Sequence, residues 1–422
     1  MKNIKKQIGI VALMASMFML ACSSGAEKMQ GQIDVLPAFE NLTELKVSQL
    51  GKNIRYVPLE TTDSSLIGGS CKVCLLEDKI MVTYGARSES HCFLFDRETG
   101  KFIREIGHKG EDPRGYSEAK AYVHPVTGHL YFHRMPNKLI KYNQEGEFLG
   151  EVEMPNGLPS GFYPLLTKEG MLVYEGPAFN ANHQSQLYWL DEAKGKTGDV
   201  ALPMVSNSEE IKPEGIQGIS VFGAGSTHMG LLGYTGAIQM TFKDDVCAIY
   251  PFNYPAVWEM ENGFRLHETF SDTIYQVKGL ELEPYHVFNL GERRLALEDR
   301  GKKEGYEDKL SITYVLETNH LIYFQCAKNL YGDFNFYNGV YQKSNGEVVM
   351  NKVEEAFTDD LTGFVPFTPM AHGKKGEFVG VLTIDQIQEW QEEHPDAKLE
   401  GALAPLKDLD YDANPVVVIV EP

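Results

Sequence analysis

One pattern recurs along this chain of 422 residues: an apolar or aromatic run, a polar turn that ends in glycine, and a second apolar run. It is clearest at residues 93–106 ("FLFDRETGKFIREI") and at 140–152 ("IKYNQEGEFLGEV"), and looser copies occupy residues 188–200, 340–353 and 257–270. Glycine at the end of a tight turn supplies the positive φ that many β-hairpins require. The pattern therefore predicts five hairpins. Their turn glycines are Gly100, Gly146, Gly195, Gly263 and Gly346.

Further strand pairs precede two of these hairpins, at residues 119–135 and 163–176. Four short strands in a unit of about 40–50 residues are typical of a β-propeller blade. Helical patterns are few. Residues 383–395 ("TIDQIQEWQEEHP") predict a short helix that is capped by Thr383 or Asp385 and ends at Pro395. The chain is therefore expected to be an all-β repeat fold with few short helices.

The N-terminus predicts export and a lipid anchor. A basic segment, "MKNIKK", precedes an apolar segment that is too short to span a membrane, which is typical of a signal peptide. "MLAC" then resembles a bacterial lipobox, which implies cleavage before Cys22 and a diacylglyceryl thioether on its sulfur. An ordinary secreted protein that is cleaved nearby remains the alternative. We predict a signal peptide at residues 1–21, a flexible tether at 22–39 and one propeller domain at 40–422.

The charge of the chain argues against nucleic acid as a partner. The whole sequence has a formal net charge of −20, with 39 basic and 59 acidic side chains. Removal of residues 1–21 takes away three lysines and no acid, which leaves 36 basic side chains and a net charge of −23. A nucleic-acid surface needs the opposite balance.

The five cysteines after Cys22 do not predict a disulfide framework, because they are odd in number and widely scattered. Cys71 and Cys74 form a lone C-x-x-C motif in a strand-like segment. Residues three apart on a strand point to opposite faces, so this pair is a poor metal site. We predict buried cysteines of a strand here.

Five segments, in order along the chain, resemble the six-bladed β-propeller lipoproteins of Bacteroides and related bacteria. They are residues 56–68 ("YVPLETTDSSLIG"), 94–107, 270–277 ("FSDTIYQV"), 359–367 ("DDLTGFVPF") and 412–421 ("DANPVVVIVE"). The resemblance implies six four-stranded antiparallel blades in a ring. No activity is established for that family, so the resemblance implies a fold and a cell-envelope location but no reaction.

In that family the first long strand lies beside the last, which here implies that residues 54–60 pair with residues 415–420. This pairing would close the ring and remove two free sheet edges. One segment departs from the family. It usually has a Gly-Pro-Gly-Glu-Tyr-like loop where this chain has "GEDPRGY" at residues 110–116.

The glycines around residue 110 do not predict a phosphate loop. Their spacing matches neither phosphate-binding motif, and the residues behind them alternate like a strand instead of opening a helix. In a propeller this segment is a crossover between blades, and crossovers surround one mouth of the central channel. The crossovers are rich in charged residues, so we predict a ligand-binding face there. Its candidate residues are Asp63, Asp112, Arg114, Arg293, Asp359 and Asp360.

Three functional hypotheses remain open. The leading one is a non-catalytic, membrane-anchored module without a cofactor. It binds a saccharide, a peptide or a protein of the envelope, and is accessory to nutrient uptake at the outer membrane. The rival is a hydrolase or lactonase whose channel carboxylates hold Ca²⁺, a cation that prefers oxygen ligands. The third is a scaffold for other proteins. No metalloprotease or serine-hydrolase motif is present.

Overall fold

The structure is a computed structural model. It describes residues 31–422 apart from 69–70, 86–89, 159–161, 176–184, 203–215, 224–235, 243–246, 253–256, 269–270, 296–304, 306 and 330–334. The predicted signal peptide and Cys22 therefore lie outside the described residues.

Six blades of four antiparallel strands form a ring, which confirms the predicted β-propeller. Blade 1 contains β3 (Cys71–Leu75), β4 (Lys79–Gly85), β5 (Ser90–Asp96) and β6 (Phe102–Glu105). Blade 2 contains β7 (Glu118–Val123), β8 (Leu130–Arg134), β9 (Lys138–Tyr142) and β10 (Phe148–Glu153). Blade 3 contains β11 (Phe162–Thr167), β12 (Gly170–Glu175), β13 (Gln186–Asp191) and β14 (Gly195–Val200).

The second half of the chain supplies the other three blades. Blade 4 contains β18 (Val257–Met260), β19 (Gly263–His267), β20 (Thr273–Lys278) and β21 (Glu281–Asn289), with β1 (Gln32–Asp34) added at its outer edge. Blade 5 contains β22 (Leu310–Glu317), β23 (Leu321–Lys328), β24 (Asn335–Gln342) and β25 (Val348–Lys352). Blade 6 contains β26 (Ala371–His372), β27 (Phe378–Leu382), β28 (Val416–Glu421) and β2 (Asn53–Pro58).

Blade 6 closes the ring as the resemblance implies. Its outermost strand, β2, comes from the N-terminal part of the chain and pairs antiparallel with β28. The register runs from Asn53 opposite Glu421 to Pro58 opposite Val416. Each strand thus covers an edge of the other, and β2 forms the outer edge of blade 6.

Four of the five predicted hairpins join the third and fourth strands of blades 1, 2, 3 and 5. The fifth, at residues 257–270, occupies a different position in its blade. It contains β18 and β19, which are the first and second strands of blade 4, and the third and fourth strands are β20 and β21. The turn glycine gives no clue to this position, because a hairpin has the same local pattern wherever it lies in a blade. All five predicted turn glycines have positive φ.

Two features extend the predicted plan. Along the chain, a three-stranded sheet comes after blade 3 and before blade 4. It contains β15 (Ile216–Gly223), β16 (Gly236–Phe242) and β17 (Cys247–Phe252). In addition, residues 32–39, which we expected to belong to the tether, contribute to β1 and to helix α1 (Leu36–Glu40). Ile33, Val35 and Ala38 pack in the apolar core between blades 4 and 5. The ordered domain therefore begins before residue 40.

The predicted helix is confirmed as α2 (Ile384–Glu393). Thr383 is its cap: its hydroxyl accepts a hydrogen bond from the backbone N–H of Gln386, whose side chain accepts one from the N–H of Thr383. Short 3-10 turns cover Val47–Gln49, Gly291–Arg293, Val353–Glu355 and Gly401–Leu406. Within the described residues, no helix has both the length and the apolar character needed to cross a bilayer.

Apolar side chains fill the spaces between neighbouring blades, so the core is distributed around the ring. Cys71 packs toward blade 6, whereas Cys74 packs toward blade 2, which confirms that the pair faces opposite sides of its strand. Both are free thiols. Burial raises the pKa of Cys71 to about 12 and that of Cys74 to about 11, so neither is a ready thiolate.

Candidate ligand-binding channel

The innermost strands β3, β7, β11, β18, β22 and β26 surround the axis of the ring. Contacts between β26 and β3, β7 and β11, β11 and β18, and β22 and β26 place them around one channel. Each crossover leads from the outermost strand of one blade to the innermost strand of the next. We call the side that carries these connections the crossover face, and the opposite side the turn face. Each innermost strand therefore starts at the crossover face.

Two lysines lie near the crossover ends of β3 and β7. Lys72 is the second residue of β3, and it is half-buried while its neighbours Cys71 and Val73 are buried. Lys120 is the third residue of β7 and is also half-buried. Strand alternation places Lys72 on the same side of β3 as Cys74, and Lys120 on the same side of β7 as Tyr122. The two ammonium groups are close enough for Lys72 to lower the pKa of Lys120.

Lys120 lies between two aromatic rings. Its Nζ is 4.8 Å from the ring centroid of Tyr163 and 5.8 Å from that of Tyr122. Among the described residues, its hydrogen-bond acceptor is the carbonyl oxygen of Phe162 at 3.5 Å, which is the outer limit of a hydrogen bond. Burial and the charge of Lys72 lower the pKa of Lys120 to about 8, and the carboxylate of Glu118 works in the opposite direction. The ring faces stabilise the cation by cation–π attraction.

Tyr122 is fixed from behind by a neutral histidine. Its hydroxyl forms a hydrogen bond with Nε2 of His133 on β8, over 3.0 Å. Burial, and secondly the charge of Lys120, lower the pKa of His133 to about 3. The ring of His133 also meets the ring of Phe162, with centroids 5.4 Å apart. We call Lys72, Glu118, Lys120, Tyr122, His133 and Tyr163 the channel cluster.

A buried carboxyl group lies behind Tyr163. The ring of Tyr163 is 6.5 Å from that of Tyr174, whose hydroxyl donates to Oε1 of Glu268 over 3.1 Å. Glu268 follows β19 at the crossover face and is 5% exposed. Burial raises its pKa to about 7, and the hydrogen bond from Tyr174 opposes this shift. Neutral pH therefore lies close to the protonation midpoint of this group.

The turn-face end of the channel is bridged by Lys374. Lys374 lies between β26 and β27 of blade 6, and its Nζ donates to the carbonyl oxygen of Pro125 in blade 2 over 3.2 Å. Burial raises the pKa of Glu259 on β18; Lys374 lowers it and Glu169 raises it further. These charges place a second polar group at the turn face, separate from the channel cluster.

Asp112 and Arg114 lie together in the crossover between blades 1 and 2, and both are exposed. Asp112 accepts hydrogen bonds from Nε2 of His108 (2.6 Å) and from the backbone N–H of Arg114 (3.0 Å). The hydrogen bond with His108 is the main cause that lowers the pKa of Asp112. Arg134 on β8 donates to backbone carbonyls of this crossover, including that of Gly115 over 3.0 Å. The predicted strand, β7, follows the glycines, as expected for a crossover.

Asp63 and Arg293 lie in two other crossovers. Asp63 is exposed between β2 and β3. Arg293 lies 3.5 Å from Asp308 and 3.9 Å from Glu40, with its guanidinium over the ring of Phe39. It thereby ties the N-terminal helix α1 to the crossover between blades 4 and 5.

Asp359 and Asp360 are bound into the crossover between blades 5 and 6. Buried Asp359 accepts from the hydroxyl of Tyr56 (2.7 Å) and from the backbone N–H groups of Leu361 and Thr362 (3.0 and 2.9 Å). Asp360 accepts from the backbone and the hydroxyl of Ser48 (3.0 and 2.6 Å). Both carboxylates hold neighbouring segments together.

The six predicted residues form no single cluster. Four of them lie as neighbours in two crossovers, and the other two lie in separate crossovers. Over the part of the chain that the structure describes, no hydrogen bond or ion pair joins two of them from different crossovers, and no group of three or more His, Cys, Asp or Glu side chains is placed to hold a metal ion. The calcium hypothesis stays a prediction.

No residue of the channel cluster was among the site residues predicted from the sequence. A signal was available, because Lys72 in "CKVC" and Lys120 in "AKAY" are charged residues inside otherwise apolar first strands. Such a residue is costly to bury unless the strand borders a channel or a partner.

The comparisons with known proteins agree with this architecture. A crystal structure of a protein assigned as exported, from Bacteroides fragilis NCTC 9343, is 16% identical, with a TM-score of 0.55 over 93% of this chain and 99% of that chain. A member of the DUF4221 family from Bacteroides vulgatus ATCC 8482 is 11% identical, with a TM-score of 0.40 over 88% of this chain and 96% of that chain. At 16% identity, the likeness to the Bacteroides fragilis protein shows the fold alone. No curated protein matches.

The fold and the channel define the class: a six-bladed β-propeller that is closed by pairing of its first long strand with its last. Within this class, the chain belongs to the family described as "Domain of unknown function (DUF4934)", whose model matches residues 30–421. The predicted membership of a propeller family without an established activity is thereby confirmed.

Proposed function

We propose that this protein is a non-catalytic ligand-binding module of the cell envelope, held at a membrane by a lipid on Cys22. The ligand enters from the crossover face and is bound by the channel cluster. The observation that carries the proposal is the position of the Lys120 ammonium, which lies between Tyr122 and Tyr163 with one marginal hydrogen bond to Phe162. The N–H donors of a buried lysine normally form hydrogen bonds within the protein.

The aromatic rings support binding over catalysis. Tyr122 and Tyr163 offer flat faces next to a polar group, a combination that suits sugar rings and peptide groups. Tyr122 is held by His133, and Tyr163 packs near Tyr174, so the rings are ordered before a ligand arrives. Preformed rings lower the entropy cost of binding.

The envelope location rests on the N-terminal sequence. The signal-like residues 1–21 and the "MLAC" segment that ends at Cys22 support lipid attachment at the outer membrane, with the periplasmic and the outer face both open. Acyl chains on Cys22 would supply stable attachment. In this position the module would be accessory to nutrient uptake, delivering a captured saccharide or peptide to an envelope protein partner.

Binding is tested by thermal unfolding of the full chain in mild detergent, with sugars, peptides and Ca²⁺ as separate additions. A ligand that binds the folded state raises the midpoint in a concentration-dependent way. We expect Lys120→Met to abolish the shift. Lys194→Met is the matched control, because Lys194 is 77% exposed in a surface turn. A midpoint that no addition changes contradicts the proposal and favours the scaffold hypothesis.

The lipid anchor is tested in cells by Cys22→Ser. We expect the variant to lose its membrane association and to run differently on a gel, because its precursor is not lipidated. Unchanged processing and unchanged fractionation would refute attachment through Cys22.

The calcium-dependent hydrolase remains the second candidate, and the carboxylates at the crossover face are its only support. It requires Ca²⁺ at millimolar concentration to raise the melting midpoint, and Asp112→Asn or Asp63→Asn to reduce that shift. A calcium-independent midpoint would rule it out.

A further inference from the structure

We infer that the channel cluster selects a small ligand with a single carboxylate group, which lies against the ammonium of Lys120. This inference rests on the proposed function, because it names the chemical class of the ligand that the same channel takes. The shared chemistry is a carboxylate, supplied either by an acidic monosaccharide or by the C-terminus of a short peptide.

The donor geometry is the first argument. Lysine has three N–H donors, and the one protein acceptor within reach of Lys120 Nζ in the described residues is the carbonyl of Phe162 at 3.5 Å. The rings of Tyr122 and Tyr163 stabilise the charge but accept no conventional hydrogen bond, so donors of Lys120 remain for a ligand. A carboxylate accepts such donors through charge-assisted hydrogen bonds, which are stronger than neutral ones.

The charge count is the second argument. The cluster holds two ammonium groups, Lys72 and Lys120, and one carboxylate, Glu118. When both lysines are protonated, the cluster has one unit of positive charge more than it has negative charge. A singly charged anion neutralises this excess, whereas sulfate or phosphate would leave the channel with excess negative charge in an already acidic protein.

The channel cluster lies close to the mouth at the crossover face. Glu118, the first residue of β7, is exposed, and Lys120 lies two residues further along the same strand. An anion that enters at the crossover face therefore reaches Lys120 close to the mouth. At the other end, Lys374 bridges blades 6 and 2 and lies across the turn-face mouth.

The pH dependence follows from the same groups. Around Lys120 lie Lys72 on β3, Glu118 and Tyr122 on β7, His133 on β8 and Tyr163 on β11. His133 is neutral above pH 4, and burial raises the pKa of Tyr122, so the hydroxyl of Tyr122 stays protonated at ordinary pH. The pKa of Lys120 is about 8, so the dissociation constant of a carboxylate should rise about tenfold per pH unit above pH 8.

The test is calorimetric titration of the full chain, in detergent at pH 7 and constant ionic strength. The probes are galacturonate and N-acetyl-alanyl-alanine, with galactose and N-acetyl-alanyl-alanine amide as their neutral counterparts. We expect at least one carboxylate to bind, and its neutral counterpart to bind at least tenfold more weakly. The two pairs tell the sugar from the peptide source.

Two variants with opposite expected signs decide the role of the cluster. Lys120→Met should weaken carboxylate binding at least tenfold, while Lys194→Met should leave it unchanged. Glu118→Gln should tighten binding several-fold, because it removes the competing carboxylate. This second variant keeps the inference open to refutation even where Lys120→Met fails to fold.

Three outcomes would overturn the inference. Carboxylate binding that Glu118→Gln weakens, or that Lys120→Met does not change, contradicts it. Inorganic sulfate that binds more tightly than either carboxylate contradicts the charge count. Binding of a neutral sugar or peptide amide that is lost in Lys120→Met refutes the carboxylate and leaves the proposed function standing, whereas no binding by any compound overturns both.

Discussion

Arg97 donates a hydrogen bond from Nη2 to Oε1 of Glu377 over 2.6 Å, at the place where the first blade meets the last. Arg97 lies in the turn after β5 of blade 1, and Glu377 lies in the turn before β27 of blade 6. The same guanidinium donates to the carbonyl oxygen of Leu76 over 3.0 Å. Both side chains are almost fully buried, so this ion pair supports ring closure from the turn face.

Replacement of Arg97 by Met should destabilise the fold by about 3–5 kcal/mol, because it leaves the carboxylate of Glu377 buried without its partner. The free energy of unfolding in urea measures this loss. Glu98→Gln is the control: Glu98 is adjacent, 74% exposed and paired with Arg55, so its replacement should cost about 1 kcal/mol or less. Equal losses in the two variants would contradict a special role for the buried pair.

Gly100→Ala should cost about 3 kcal/mol or more. Gly100 has φ +69°, and a Cβ atom there would lie 1.9 Å from the carbonyl oxygen of Pro58 in β2. Gly195 has φ +77° at the corresponding turn of blade 3, with no atom within 4 Å of an added Cβ. Gly195→Ala should therefore cost only the backbone strain, about 1–2 kcal/mol. Urea unfolding of both variants checks the difference, and similar losses would show that the close approach to β2 is unimportant.

His133 should make the protein less stable as the pH falls. Its folded-state pKa, about 3, is below the ordinary value of 6.5, so between these values the unfolded chain binds the extra proton. Going from pH 7 to pH 5 should remove about 2 kcal/mol of stability through this group. In His133→Asn that part of the pH dependence should disappear, whereas the exposed His320→Asn should keep it. Urea unfolding at the two pH values measures how much stability each variant loses.

Glu268 changes the stability of the protein in the opposite direction: it lowers the stability as the pH rises. Its folded-state pKa, about 7, is above the ordinary value of 4.5, so the folded protein binds more protons in this window and loses stability as the pH rises through it. Glu268→Gln should therefore stabilise the protein at pH 8, by about 2–3 kcal/mol, and have little such effect at pH 4. Glu261→Gln, at an exposed turn of the same blade, is the control. A stabilisation that is independent of pH would contradict the assignment.

The sequence predicts those parts of the fold that depend on local pattern. The segment 93–106 forms the hairpin of β5 and β6, and the segment 383–395 forms α2 with Thr383 as its cap. The position of a hairpin within its blade depends on contacts with distant strands, so the pattern at residues 257–270 does not show that this hairpin opens blade 4. The three-stranded sheet β15–β17 was missed because it lies within a crossover and does not repeat the pattern.

The candidate site was harder to predict than the fold. The charged crossover residues stand out in the sequence, yet Asp359 and Asp360 bind Tyr56 and Ser48, which are distant along the chain. The channel lysines are separated by three whole strands, and they lie close together only because β3 and β7 are both innermost. Recognition of the first strand of each blade would have placed Lys72 and Lys120 next to the axis.

The pairing of β2 with β28 also sets the order of events during synthesis. Almost the whole chain lies between these two strands, so β2 lacks its partner and blade 6 lacks its third strand, β28, until the final residues emerge. Contacts between such distant segments form slowly, because a long loop must close first. A growing chain therefore contains separate blades but no finished ring. A chain threaded across a membrane from its N-terminus would have no closed structure to undo, and its folding would be completed on the far side.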